Sequence, residues 1–451
     1  MNIQKIGETS LSQQWIKRSL KSVWHPCTQM KHHESLPLVA VKSGKGCWLY
    51  DEDGNRYFDA ISSWWTNLFG HANPYINQAL KQQLDVLEHA MLAGCTHEPV
   101  IELSERLSAL VGGRLGHCFF GSDGASAIEI ALKMSFHFWK NRGHAEKQEF
   151  ICLEHSYHGE TIGALSVTDV MLFKDAYAPL IRNAHLVPSP DSRNTEQGET
   201  DKDIALKAAD QLEEVLREKA NKIAAIIVEP LVQCAAGFIM YHPIYLKRVR
   251  ELCDRYHVHM IADEIAVGMG RTGSFFACDQ ADIRPDLLCL SKGITGGFLP
   301  LSLVMATDTI YQAFYDDDVT RGFLHSHSYT GNPLACRAAL AVLDLFEQND
   351  VIANNRRLST VMTNALSIVK QHNQVKNFRH KGMIWAFDVM LSQQDQATFP
   401  RRFFQTALEY EVLMRPIGNT VYLMPPYVMT EQEANWLANS VNTILRKVIG
   451  L

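Results

Sequence analysis

At 451 residues the chain is longer than one hydrophobic core usually supports, so two domains are expected. With 46% hydrophobic and 20% charged residues it reads as globular, and a formal net charge of −6 leaves no basic footprint for nucleic acid. No apolar run approaches the ~20 residues that span a bilayer. Met1 to Trp15 lacks the apolar core of a signal peptide, and the ten scattered cysteines contain no C-x-x-C pair. A cytoplasmic protein without membrane or nucleic-acid partners is expected.

Residues 1 to about 45 read as an irregular arm carrying Trp24-His25-Pro26-Cys27-Thr28-Gln29-Met30. Trp48-Leu49-Tyr50 and Arg56-Tyr57-Phe58 flank an Asp-Gly turn, which predicts a β-hairpin. Ser62-Ser63-Trp64-Trp65 comes next. A tryptophan pair is usually core, but polar, turn-rich surroundings also suit a pocket lining. Regular alternation of helices and strands then begins, with helical spacing over 76–89 and 100–110 and a short strand at Cys118-Phe119-Phe120. The turn from Gly121 to Ser126 opens a helix that runs to about residue 142. Such a turn offers free N–H groups to a phosphate, although many glycine turns only reverse the chain.

A strand from Phe150 to Glu154 ends on His155-Ser156-Tyr157-His158-Gly159-Glu160. Histidines at this spacing invite a metal, but Gly159 breaks any helix that would align them, and no metal is expected. An aromatic at this strand end could instead stack on a flat cofactor ring. Residues 188–203 read as a surface loop, 205–221 and 245–256 as helices, and Ile223 to Glu229 as a buried strand.

Two apolar runs follow. Met260-Ile261-Ala262 ends on Asp263-Glu264, and Leu287-Leu288-Cys289-Leu290 delivers Ser291-Lys292 into Gly293, Gly296 and Gly297. Short apolar runs of this kind fit strands buried on both faces, and ligands of such sheets bind beyond the strands' carboxyl ends. Asp263 and Lys292, 29 residues apart, would share that edge. Alone, the acid reads equally as a helix cap and the lysine as a solvated surface residue. Together they are the carboxylate and amine that pyridoxal phosphate requires of a protein. Beyond them, residues 301–306 predict a strand, 307–314 a helix, 334–347 and 351–370 helices, and 383–390 and 420–424 strands. Thr430 and Glu433 have capping-box spacing before a closing helix.

Taken together, Gly121 to Ala125, Tyr157-His158-Gly159, Val228-Glu229-Pro230, Ala262 to Ile265 through Gly270-Arg271-Thr272-Gly273, Ser291-Lys292-Gly293 and Thr330-Gly331-Asn332-Pro333 resemble the class III pyridoxal-phosphate-dependent aminotransferases. The resemblance implies an α/β protein of the PLP-dependent transferase fold type I. Residues 1–65 would form an arm and part of a small domain, 66–330 a large domain on a mostly parallel sheet, and 331–451 the rest of an α+β small domain. It implies catalytic roles for Lys292, Asp263 and Tyr157, with Gly124, Ala125, His158, Glu229 and Ser328 as further cofactor contacts. Ser328 would act across the interface of a homodimer whose active sites are shared. Within the family, Trp24-His25-Pro26, Ser62 to Trp65, Met414 to Gly418 and Tyr422 to Tyr427 resemble the branch serving biotin synthesis. That branch transfers an amino group from S-adenosylmethionine to 8-amino-7-oxononanoate, which implies Trp64, Trp65, Cys27, Arg415, Tyr422 and Ser326 as substrate contacts. Three residues depart from its pattern: Cys27 stands where a tyrosine is usual, Glu160 where a shorter acid is, and Ala125 where a serine is. An aminotransferase for ornithine, γ-aminobutyrate or another ω-amine is the alternative within the family. A metal-dependent hydrolase using His155, His158 and Glu160 is the alternative outside it.

Overall fold

The computed structural model describes residues 10–36 and 38–450. A seven-stranded sheet lies at its centre, made of β1 (His117–Gly121), β2 (Glu149–Leu153), β3 (His185–Val187), β4 (Ile223–Val228), β5 (His259–Asp263), β6 (Leu287–Leu290) and β7 (Ser302–Ala306). Their spatial order is β1-β7-β6-β5-β4-β2-β3. All pairings from β3 through β6 are parallel, whereas β7 runs antiparallel to both β6 and β1. The fold is α/β with a mostly parallel sheet, as expected.

Every residue of β4, β5, β6 and β7 is buried, because the sheet is covered on both faces. Ile261, Leu287, Cys289 and Val304 point into a core shared with the helix Gly124–Asn141. Met260, Ala262, Leu288 and Leu290 point into the larger core on the opposite face. Alternate residues therefore meet different apolar layers, and the strands carry no polar alternation.

The expected hairpin is present: Trp48–Asp51 pairs antiparallel with Arg56–Asp59. Val412–Leu413 from the tail pairs parallel with Arg56–Asp59, so both chain ends build one four-stranded sheet. The closing helix Glu431–Ile449 starts with a capping box between Thr430 and Glu433.

Three expectations are corrected, and one strand is new. The arm contains a helix, Leu11–Ser22, nucleated by a capping box between Ser10 and Gln13. The helix expected over 76–89 ends at Leu84, beyond which Val86 is exposed and offers no packing to extend it. The helix expected over 351–370 is two, Val351–Ala365 and Ser367–Lys370. A strand not foreseen, Val375–Lys381, pairs with Ile384–Val389.

Candidate active site

In the parallel pair β5/β6, Asp263 lies opposite Cys289. The chain leaves β6 at Ser291 and turns at Lys292, whose φ is 46°. Acid and amine thus emerge from neighbouring strand ends at one edge of the sheet. The Lys292 Nζ sits 4.7 Å from the ring centroid of Trp65. Burial holds its ammonium below the usual lysine range, opposed by the negative field of Asp263. Asp263 Oδ1 accepts the Ile265 N–H at 3.1 Å, and Oδ2 is 2.7 Å from Nδ1 of the buried His158. An ionised carboxylate only accepts, so Nδ1 carries the proton and donates it.

Tyr157 and Glu229 are tied together behind this edge. The Glu229 carboxylate accepts the N–H groups of Tyr157 (3.0 Å) and Cys234 (3.2 Å), and burial raises its pKa to about 7. The Tyr157 hydroxyl donates to Glu160 at 2.9 Å, and burial raises its pKa well above the usual phenol range. Glu160, a departure from the family pattern, therefore reaches the Tyr157 hydroxyl. The loop carrying Tyr157 and His158 presses on the start of the helix Gly124–Asn141 at Gly159. There φ is +121°, and a Cβ would stand 2.7 Å from the Cβ of Ala125. Asp123 caps that helix by accepting the Ser126 N–H at 3.0 Å. The first-turn N–H groups of Gly124 and Ala125 have no intrahelical acceptor and lie at the positive end of the helix dipole.

Aromatic side chains wall the other side of Lys292. Trp65 is buried against Phe238 and Tyr422, and Phe238 stacks on Tyr422 at 4.3 Å. Trp64 is 45% exposed, with the Arg415 guanidinium 5.4 Å from its ring centroid. An Arg415 Nη2–H donates to the Cys27 carbonyl at 3.2 Å, bringing the arm to the rim. Both tryptophans stand on a left-handed turn. Ser62, Ser63, Trp64 and Trp65 have φ of 49°, 47°, 69° and 73°, a conformation that costs L-residues ~1–2 kcal/mol each.

Ser326 and Ser328 lie elsewhere, on an exposed segment braced by a Lys133–His325 hydrogen bond (2.8 Å) and a His327–Thr330 turn. No hydrogen bond of the described residues links them to the Lys292 group. Phe238, Asp59 and His71 escaped the sequence reading. Phe238 follows the glycine of an Ala-Ala-Gly turn after β4, and that turn was its only local signal. Among the described residues no cluster of three or more His, Cys, Asp or Glu side chains could hold a metal ion.

An amine and a buried carboxylate at one sheet edge, an aromatic plate and an open helix start form a donor set that fits pyridoxal phosphate. Comparison with known proteins agrees. Residues 29–445 match the family described as aminotransferase class III. The chain is 45% identical over 421 residues to the adenosylmethionine-8-amino-7-oxononanoate aminotransferase of Helicobacter pylori, covering 92% of this chain and 93% of that one. The crystal structure of the Methanocaldococcus jannaschii protein of the same name superposes with a TM-score of 0.90 at 33% identity, covering 96% and 99% of the two chains. A PLP-bound amine transaminase from an uncultivated Pseudomonas species gives 0.89 at 32% identity, covering 94% and 98%. The chain belongs to the class III aminotransferases, enzymes that work with pyridoxal 5'-phosphate.

Proposed function

We propose that the chain moves an amino group from S-adenosylmethionine to 8-amino-7-oxononanoate, giving 7,8-diaminononanoate for biotin synthesis. The names of its Helicobacter and Methanocaldococcus relatives support this reading. The observation that carries it is an aromatic wall of Trp64, Trp65 and Tyr422 that begins at the Lys292 amine and ends at the Arg415 guanidinium. The wall suits the alkyl chain of the keto acid, and a planar guanidinium pairs bidentately with its far carboxylate. The same rings attract the donor's sulfonium, at about 0.5–2 kcal/mol per contact. Cys27, whose carbonyl Arg415 reaches, completes the rim in this reading, whereas Ser326, on the same exposed segment as Ser328, would join the site only across the dimer interface.

Pyridoxal phosphate, when bound, supplies an aldehyde to carry the amino group and a ring that accepts the electron pair left by a departing proton. Lys292 would attach to the aldehyde carbon. Asp263 would hold a proton on the ring nitrogen, with its carboxylate oriented by His158. Tyr157 would cover one ring face, and Glu229 would keep Tyr157 in place. The phosphate would lie on the N–H groups of Gly124 and Ala125 and on Ser328 of the partner subunit, in a cytoplasmic homodimer. The division of the chain near residues 66 and 330 belongs to the same reading. Freed by the incoming amine, the buried Lys292 Nζ, held below the usual lysine range, would take the proton from the substrate carbon and hold it for return to the former aldehyde carbon.

Half-reaction spectroscopy tests the substrate. S-Adenosylmethionine alone converts the bound cofactor to its amine form, and 8-amino-7-oxononanoate converts it back. Conversion by ornithine or γ-aminobutyrate without any by S-adenosylmethionine would assign the chain to the ω-amine branch instead.

A further inference from the structure

We infer that Asp59 is a positioning residue for the substrate: by clamping Ser63 it holds the left-handed turn that sets Trp64 against Arg415. Four consecutive L-residues do not keep positive φ unaided, and strain of this kind persists only where the surroundings over-determine it. Asp59 is the main clamp. It is fully buried, its Oδ1 accepts the Ser63 N–H at 2.9 Å, and its Oδ2 accepts the Ser63 hydroxyl at 2.7 Å. The His71 Nε2 reaches Oδ2 at 2.9 Å, while Asn67 Nδ2 donates to His71 Nδ1 at 3.0 Å. That amide fixes the ring tautomer so that Nε2–H points at Asp59. A second tie comes from Ser62, whose hydroxyl donates to the Met424 carbonyl at 2.7 Å.

The same residue sets both halves of the rim pair. Asp59 ends the strand Arg56–Asp59 and pairs in parallel register with Leu413, two residues before Arg415. Side chain and backbone of one buried acid thus place Trp64 from one side and Arg415 from the other. Without the carboxylate the turn relaxes toward right-handed backbone and Trp64 leaves the guanidinium. Among the described residues no hydrogen bond joins Asp59 to Lys292, Asp263 or His158. Trp65, the turn's residue beside Lys292, is held independently by Phe238 and Tyr422, so the effect falls on Trp64 and substrate capture at the rim.

This inference rests on the proposed reading of Trp64 as a substrate contact, and a double-mutant cycle separates the two. KM for 8-amino-7-oxononanoate and kcat are measured for the holoenzyme carrying Asp59→Ala, Trp64→Ala or both, with Tm recorded for each. A coupling near the middle of the range for contacting residues predicts that Asp59→Ala raises KM about tenfold in the native background. In the Trp64→Ala background it raises KM less than about twofold. Ser63→Gly added to Asp59→Ala brings KM back down, because glycine takes the left-handed conformation without penalty. If Asp59→Ala does not fold, Ser63→Ala, which removes one hydroxyl contact, carries the same cycle with a smaller rise. The inference is overturned if Asp59→Ala leaves KM unchanged or raises it equally in both backgrounds. If Trp64→Ala alone leaves KM unchanged, the reading of the wall fails first and takes the inference with it.

Discussion

Replacing Gly159 by alanine probes the contact on which the cofactor cradle depends. The added Cβ would stand 2.7 Å from the Cβ and 3.0 Å from the Cα of Ala125, and 3.3 Å from the Cβ of Ala164. Carbon atoms prefer about 3.5–4.0 Å, and forcing a methyl into packed surroundings typically costs about 1–3 kcal/mol. A φ of +121° adds about 1–3 kcal/mol for a residue with a side chain. Borne in place, the two together amount to about 2–6 kcal/mol. The loop can relieve the clash by moving off the helix start. That motion draws the Tyr157 N–H from Glu229 and the His158 N–H from Thr168, both now at 3.0 Å. Either outcome weakens the hold on the phosphate and ring, with an expected loss of about 10- to 100-fold in cofactor affinity at ~1.4 kcal/mol per tenfold. The assay is absorbance titration of apoprotein with pyridoxal phosphate, with Gly143→Ala as control. Gly143 also has positive φ (+87°), but a Cβ there meets nothing within 4 Å, so only the backbone penalty applies. Affinity of Gly159→Ala within about twofold of both wild type and the control would refute the reasoning.

Arg415→Ala should raise KM for the keto acid by about 10- to 100-fold, the worth of a charge-assisted hydrogen-bond pair. Steady-state kinetics in both half-reactions check this, and an unchanged keto-acid KM removes Arg415 from the substrate site. His259 should make the fold acid-sensitive. Burial holds its ring at about 4, so between pH 6.5 and 4 the unfolded chain binds a proton that the folded chain refuses. Its contribution is intact above pH 6.5 and declines as pH falls, by roughly 2 kcal/mol between pH 7 and 5. Urea unfolding at the two pH values should show this part of the decline in wild type and lose it in His259→Phe.

The chemistry of the sheet edge was legible because burial on both faces leaves a parallel strand no reason to alternate. Met260 to Ala262 and Leu287 to Leu290 are plainly apolar, and each run stops abruptly at a charged or polar group. Strand direction was not legible. β7 reads as another buried strand although it runs against its neighbours, since its orientation is set by connection and pairing. The arm helix was overlooked although Leu11, Trp15, Ile16 and Leu20 recur at helical spacing behind a Ser10–Gln13 capping box; the polar residues between them masked a stripe that stays 43–46% exposed at Leu11, Trp15 and Leu20. The turn at Ser62 to Trp65 was the least accessible, because L-residues carry no local preference for left-handed backbone. What holds it is side-chain bonding that no propensity encodes: Asp59 accepts from Ser63 four residues on, and Ser62 donates to the Met424 carbonyl from the far end of the chain. Phe238 and His71 were invisible for the same reason: each matters through partners far away in sequence or through a tautomer fixed by a neighbour.

The central claim is that Lys292 and Asp263, from neighbouring strand ends, hold one pyridoxal phosphate between them. Borohydride reduction of the holoenzyme, followed by proteolysis and mass spectrometry, tests it most directly. The account predicts a phosphopyridoxyl adduct on the peptide containing Lys292 and none in Lys292→Ala, which still binds the cofactor but does not turn over. An active enzyme whose adduct forms at another lysine, or at none, would contradict it.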